Sequence, residues 1–330
     1  MIADKKNIDR IDSSRNMAVK VIRVENIVKT YTINKTVVTA LHGISFEVAQ
    51  GEIFGIIGPD GAGKTSLFRI LTTLLLADSG TASVDGFDVV KDYKAIRNRV
   101  GYMPGRFSLY QDLTVEENLN FFATIFNTSI KENYDLIKDI YSQIEPFKKR
   151  RAGALSGGMK QKLALSCALI HRPSVLFLDE PTTGVDAVSR KEFWDMLKHL
   201  KEQGITILVS TPYMDEASLC DRVALLQNGS ILSIDTPENI SNDFPKKLWA
   251  VHAEQMLLLS KHLHQWTETE SCFSFGENYH LVLKDDNKGK NEIEAFLLQQ
   301  QHTGIEIKQI HANIEDCFMA LMKPLSPKGE

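Results

Sequence analysis

The sequence predicts an α/β fold with a mainly parallel core sheet, and three stretches carry that expectation. Gly58-Pro59-Asp60-Gly61-Ala62-Gly63-Lys64-Thr65 reads G-x-x-x-x-G-K-T, between an apolar run (Ile53-Phe54-Gly55-Ile56-Ile57) and a helical pattern opening at Ser66. That strand, loop and helix order is the context a phosphate-binding loop requires. Val175-Leu176-Phe177-Leu178 reads as a strand buried on both faces and ends on Asp179-Glu180, two carboxylates at the end of the strand where ligands bind in open α/β sheets. Gly204-Ile205-Thr206-Ile207-Leu208-Val209-Ser210-Thr211 is a further buried strand, followed by Val223-Ala224-Leu225-Leu226 and the turn Gln227-Asn228-Gly229-Ser230, which continues the β/α alternation.

Taken in order, residues 19–24 and 44–48 are rich in β-branched and aromatic side chains and predict strands of a partly antiparallel sheet. Lys29-Thr30-Tyr31 is expected between them, with Tyr31 either packing on that sheet or stacking on an adenine ring. In the glycine-rich loop, positive φ angles turn successive N–H groups into one concavity, and the helix N-terminus adds partial positive charge. Residues 58–66 are therefore the expected nucleotide cradle. Lys64 is placed for the β- and γ-phosphates, and the Thr65 hydroxyl for Mg²⁺.

Gly80 to Gly86 reads as a short strand and turn, and Val100-Gly101-Tyr102-Met103 as a strand ending at Pro104. The loop that follows carries Phe107 and Tyr110, which are either core or contact surface. Thr114 and Glu117 have the spacing of a capping box opening a helix, and helical patterning continues with breaks to about residue 147. Leu155-Ser156-Gly157-Gly158 opens another helix, over about residues 157–170, and makes a second N-terminus able to grip an anion. At the acidic strand end, Asp179 is expected to hold Mg²⁺ through its water and Glu180 to orient or deprotonate the attacking water.

Near Asn242-Asp243-Phe244-Pro245 the character changes. From there to the carboxyl end the pattern is strand, helix, a hairpin around Gly276-Glu277-Asn278, helix, strand, and a last helix capped by Asn313. That predicts an α+β module over 243–330, assigned to regulation or dimer contacts, with residues 324–330 frayed.

Composition bounds the rest. The chain has 330 residues, 43% hydrophobic and 24% charged, with a formal net charge of −4. These values are ordinary for a globular protein and give no electrostatic case for a nucleic-acid partner. Lys148-Lys149-Arg150-Arg151 reads as a solvated basic loop or a phosphate or lipid contact. The cysteines at 167, 220, 272 and 317 form no C-x-x-C pair and read as buried free thiols, with no metal site suggested. Met1 to about Ala18 lacks the apolar core of a signal peptide and reads as a flexible tail. No apolar run approaches the ~20 residues of a membrane helix, so any work at a membrane requires docking onto another chain.

In this order and spacing, the phosphate loop, the Leu-Ser-Gly-Gly turn and the Leu-Asp-Glu-Pro strand resemble the ATP-binding subunit of an ABC transporter over roughly residues 19–240. Gly-Pro-Asp-Gly-Ala-Gly-Lys-Thr, Tyr-Met-Asp-Glu-Ala (213–217) and Ile-Glu-Asp-Cys-Phe-Met-Ala-Leu (314–321) are similar to drug-export ATPases that serve ABC-2 type permeases. The resemblance implies a P-loop NTPase sandwich of the ABC ATPase type over 19–242, with a mainly parallel core sheet, amino-terminal antiparallel strands and a helical signature subdomain at about 106–165, and the small α+β module after it. It further implies ATP and Mg²⁺ as cofactors, a head-to-tail dimer with a second ATPase chain, an ABC-2 permease facing the loop at 105–112, and a peripheral place on the cytoplasmic face of the membrane. In that dimer Ser156, Gly157 and Gly158 act on the partner's ATP, and Asp186 matches the D-loop that couples the two sites. Two positions depart from the family pattern: Gly105 stands where a Gln is usual, and Pro212 where a His is usual. Neither supplies a side-chain donor, which separates expected nucleotide binding from expected catalysis.

Overall fold

The computed structural model describes residues 19–322; the expected tail at 1–18 and the frayed end at 324–330 lie outside them. The chain opens with a long hairpin. β1 (Lys20–Ile33) and β2 (Thr36–Ala49) pair antiparallel across Asn34 and Lys35, whose φ values of 49° and 67° are those of the turn that matches strand twist. Lys29, Thr30 and Tyr31 therefore lie inside β1 and not in a connection between short strands. The β-branched runs on either side of the turn sustain the pairing over fourteen residues each.

β3 (Ile53–Ile57) is buried along its whole length and delivers the chain to α1 (Lys64–Leu71). β4 (Ser79–Val84) and β5 (Phe87–Asp88) return to the hairpin, giving an antiparallel sheet in the order β2-β1-β4-β5. After α2 (Tyr93–Arg97) and β6 (Val100–Met103) comes a layer of helices: α3 (Val115–Ile125), α4 (Tyr134–Tyr141) and α5 (Gly157–Leu169). α3 begins where the sequence places it. Thr114 Oγ1 accepts from Glu117 N at 3.2 Å, and Glu117 Oε2 accepts from Thr114 N at 2.7 Å.

β7 (Val175–Asp179), α6 (Ala187–Glu202), β8 (Thr206–Thr211), β9 (Arg222–Gln227) and β10 (Ser230–Asp235) complete the central sheet, in the order β10-β9-β3-β8-β7-β6. Its strands are parallel except β10, which folds back on β9 through Asn228 and Gly229. This order decides where the site lies. β3, which feeds the phosphate loop, and β7, which ends on the acidic pair, flank β8, so the loops after these three strands meet at one edge.

Beyond α7 (Pro237–Asn242), a third, antiparallel sheet has the order β12-β13-β11-β14, built from β11 (Leu248–His252), β12 (Thr269–Phe275), β13 (Asn278–Leu283) and β14 (Glu306–Ile310). α8 (Met256–Gln265) and α9 (Lys290–Gln299) cover one face around Trp249, Val251, Leu259, Leu281 and Leu297. The last helix, α10 (Ile314–Leu321), behaves differently. Ile314, Cys317 and Phe318 join the main core beside Ala217 and Ile240, while Asp316 Oδ1 takes a 2.7 Å hydrogen bond from His280 Nδ1 of β13. All four cysteines are buried and free. Among the described residues no helix is long and apolar enough to cross a membrane.

Candidate nucleotide site

α1 starts without a side-chain cap and without an acidic residue in its first turn, so its leading N–H groups are available to an anion. Gly63 makes this geometry possible. Its φ is 106°, and a Cβ there would stand 2.4 Å from the Ala40 carbonyl oxygen. The Lys64 side chain is only 3% exposed, and its ammonium is held by three oxygens: Gly58 O at 2.8 Å, Pro59 O at 3.0 Å and Glu180 Oε1 at 3.0 Å. The expected phosphate ligand and the expected catalytic carboxylate are thus already in contact.

The acidic side is fixed through β8. Ser210 Oγ donates to Asp179 Oδ1 at 2.7 Å, and the Glu180 N–H lies 3.0 Å from both Ser210 O and Ser210 Oγ. Gly58 N–H donates to Thr211 O at 3.2 Å, which ties the phosphate loop to the end of the same strand. Glu180 has a φ of 52°, a left-handed conformation uncommon outside glycine, and this strain sits at the point where the carboxylate turns toward Lys64. Burial, and then the charge of Asp179, pushes the Tyr102 phenol up to about 12, so it stays neutral beside the acid.

Tyr31 reaches the site from β1. Its hydroxyl lies 3.0 Å from Ser66 Oγ, so the aromatic offered for adenine stands at the edge of α1. The structure therefore brings together Tyr31, residues 58–66, Asp179 and Glu180. A free N–H array, a buried ammonium, the Thr65 hydroxyl and two carboxylates form a donor set that fits a magnesium-bound triphosphate.

Comparison with known proteins places this architecture. The pattern describing the ABC transporter family matches residues 41–183. The Nod factor export ATP-binding protein I of Burkholderia lata is 33% identical over 285 residues, which are 85% of this chain and 91% of that protein. The chain belongs to the ABC transporter ATP-binding family. The probable multidrug ABC transporter ATP-binding protein YbhF of Escherichia coli K12 is 38% identical over 83% of this chain and 48% of its own length, so the chain spans about half of that relative. Among solved structures, the dimeric post-hydrolysis state of the ATP-binding cassette MJ0796 bound to ADP and Pi is similar, with a TM-score of 0.60 at 25% identity, covering 65% of this chain and 98% of that one.

Against the ABC pattern, the remaining expected residues fall in a second group. Ser156 caps α5, accepting from Met159 N at 3.4 Å. A Cβ on Gly157 would face Gly184 O at 3.7 Å, and one on Gly158 would face Ser189 Oγ at 3.0 Å. The nearest neighbours of these two glycines are thus Gly184 and Ser189, and no phosphate-loop residue is within 4 Å of either Cβ position. Asp186 caps α6 through Val188 N at 3.1 Å and Ser189 N at 3.0 Å, and the Ser189 bonds hold its carboxyl below the usual range.

Gly105 lies against the acidic strand end. A Cβ there would come within 2.9 Å of the Asp179 carbonyl oxygen. Gly105, Glu180, Gly157 and Gln161 line one cavity of about 150 Å³. Pro212 follows directly on Thr211, whose hydroxyl donates 2.6 Å to Glu216 Oε2. Nothing local in the sequence marks Ser210, Thr211, Thr182 or Glu216 as functional. The available indication was a pair of hydroxyl residues closing a buried strand, but their importance depends on β8 lying between β3 and β7, which composition does not reveal.

Proposed function

We propose that this chain is the ATP-binding and ATP-hydrolysing motor subunit of an ABC export system, with a slow catalytic site of its own. The observation that carries this reading is Lys64 shared between the phosphate loop and Glu180, with Gly105 against Asp179 and Pro212 next to Thr211, whose carbonyl accepts from Gly58 N. Lys64 exchanges Glu180 for phosphate oxygens, residues 61–66 supply N–H donors, and Tyr31 flanks the base. Glu180, released from Lys64, is then the carboxylate available to orient water and take its proton. Mg²⁺ would be held by Thr65 and, through water, by Asp179, and its chemistry there is to neutralise phosphate charge.

Two groups that ordinarily stabilise charge in the transition state are missing at 105 and 212. Each such donor typically contributes about 10²–10³ in rate, although such losses need not add. Ser156, Gly157 and Gly158 are positioned away from the chain's own phosphate loop, which supports a head-to-tail pair in which they serve the ATP of a second ATPase chain. A paralogous partner with a complete site fits best. The site is then asymmetric: this chain holds ATP firmly while the partner's loop does the faster chemistry.

The names of the relatives, which speak of multidrug transport and Nod factor export, support export as the task and an ABC-2 type permease as the membrane partner. The surface for that permease is the cavity of about 370 Å³ between β6 and the helical layer, lined by Leu74, Pro104, Ser108, Phe122 and Phe126. Tyr110, 50% exposed, stands in the same loop region and packs edge-on against Phe121, whereas Phe107 lies half-buried beneath Lys160. We assign residues 19–242 to the ATPase body and 243–330 to an accessory module. The chain then sits on the cytoplasmic face, through the permease.

Single-turnover release of γ-phosphate tests the reading. Purified alone, the chain is expected to retain MgATP and convert it slowly to ADP. No conversion at all leaves a nucleotide-binding regulatory subunit, the second reading that Gly105 and Pro212 favour. Conversion at the rate of ordinary transport ATPases overturns the slow-site account.

A further inference from the structure

Glu216 is a carboxylate in a place that is costly for one. It is 3% exposed, inside the 3₁₀ turn Met214–Leu219 that follows β8. Oε2 accepts hydrogen bonds from Thr211 Oγ1 at 2.6 Å and Thr182 Oγ1 at 3.1 Å. Oε1 has no hydrogen-bond partner, and Arg190 is 3.9 Å away. A buried charge satisfied on one side only is a poor stabilising device. Its neighbours suggest a different use.

Both donors to Glu216 end on loops of the nucleotide site. Thr182 is two residues beyond Glu180, and the Thr183 N–H donates to Glu180 O at 3.3 Å. Thr211 closes β8, and its carbonyl takes the Gly58 N–H. Its hydroxyl also accepts from Tyr213 N at 3.1 Å, across Pro212. A single carboxylate oxygen thus joins the acidic loop, the phosphate loop and the turn that carries Pro212. Arg190 brings α6 to the same point: its guanidinium lies 4.7 Å over the Tyr213 ring, while its backbone N–H makes the first-turn helical bond to Asp186 O at 2.9 Å.

We propose that Glu216 is a positioning residue for ATP hydrolysis, holding Thr182 and Thr211 so that Glu180 is fixed relative to the phosphate loop where Pro212 offers no hydrogen-bonding side chain to do so. The unbonded Oε1 faces Arg190, which links this hold to the α6 start that the signature turn packs against. The inference rests on the ATPase reading above and adds a residue to which that reading gives no part.

The test uses the full chain, in excess over MgATP, with single-turnover γ-phosphate release, calorimetric MgATP affinity and melting temperature measured together. Glu216→Ala is expected to slow release at least about tenfold while MgATP affinity stays within about threefold. Glu216→Gln keeps an oxygen for both hydroxyls and should recover release to within about threefold of the unaltered chain. Thr182→Val, which removes one hydroxyl at constant shape, should slow release several-fold, and it decides the matter if Glu216→Ala does not fold. Release by Glu216→Ala within about twofold of the unaltered chain, or slowing that only tracks lost affinity, overturns the inference and leaves the ATPase reading standing. Absence of any release by the unaltered chain overturns both.

Discussion

The two rims of the nucleotide site are built to different standards. On one, Lys64 is buried among three oxygens, Asp179 and Glu180 are pinned by Ser210, and Gly63 opens the start of α1. The other is discontinuous, Gly105 following β6 and Pro212 following β8; neither contributes a side-chain donor, and Glu216, bonded to Thr211 beside Pro212, has one oxygen unbonded. Binding a triphosphate needs only the first rim, whereas stabilising charge that develops during hydrolysis needs the second. On the reading proposed above, a site with this asymmetry separates holding ATP from breaking it.

The largest effect should come from the complete rim. Lys64→Ala is expected to weaken MgATP binding about 100-fold, the loss of charge-assisted bonds to phosphate, as read by titration calorimetry. An affinity within about threefold of the unaltered chain would remove Lys64 from the phosphate site. Next come single substitutions on the depleted rim. Pro212→His should raise turnover about tenfold without changing MgATP affinity. Gly105→Gln should gain less, because its Cβ must displace backbone from the 2.9 Å approach to Asp179 O. Equal gains would mean that the loop at 105 moves freely.

Two smaller effects keep stability apart from chemistry. His171 stacks on Phe126 at 3.8 Å, and its Nε2 is 3.1 Å from Val100 O. Burial lowers its pKa from 6.5 to about 4, so the unfolded chain takes up this proton first as the medium acidifies. Its contribution to stability is present above about 6.5 and is lost as the pH falls toward 4. His171→Phe should flatten the melting temperature across that window and leave MgATP affinity at neutral pH unchanged. Smallest, Thr114→Ala removes the α3 capping box and should cost about 1 kcal/mol, visible in denaturant unfolding but not in nucleotide affinity.

Much of this was legible in the sequence because it is local. Residues 58–65 dictate a loop from glycine placement and the apolar run before them. Thr114 and Asn313 mark helix starts by three-residue spacing, and both caps are formed. The long β1–β2 hairpin is not legible, since Asn34-Lys35 is a weaker turn pair than one with glycine, and without that turn Tyr31 reads as part of a connection. Ser210, Thr182 and Glu216 were hidden for a different reason. Their partners lie 31, 34 and 34 positions away in Asp179, Glu216 and Thr182, and only the strand order β3-β8-β7 brings them to one edge. Local chemistry reveals what binds, while the topology determines what positions it.

The most direct test of the split between binding and hydrolysis is steady-state turnover at saturating MgATP for the unaltered chain and for Gly105→Gln combined with Pro212→His, with MgATP affinity measured on both. The account predicts equal affinities, turnover for the unaltered chain at least about 100-fold below the ~10 s⁻¹ typical of enzymes, and a rise of about 10- to 100-fold in the double variant. Turnover near ~10 s⁻¹ by the unaltered chain alone would contradict it.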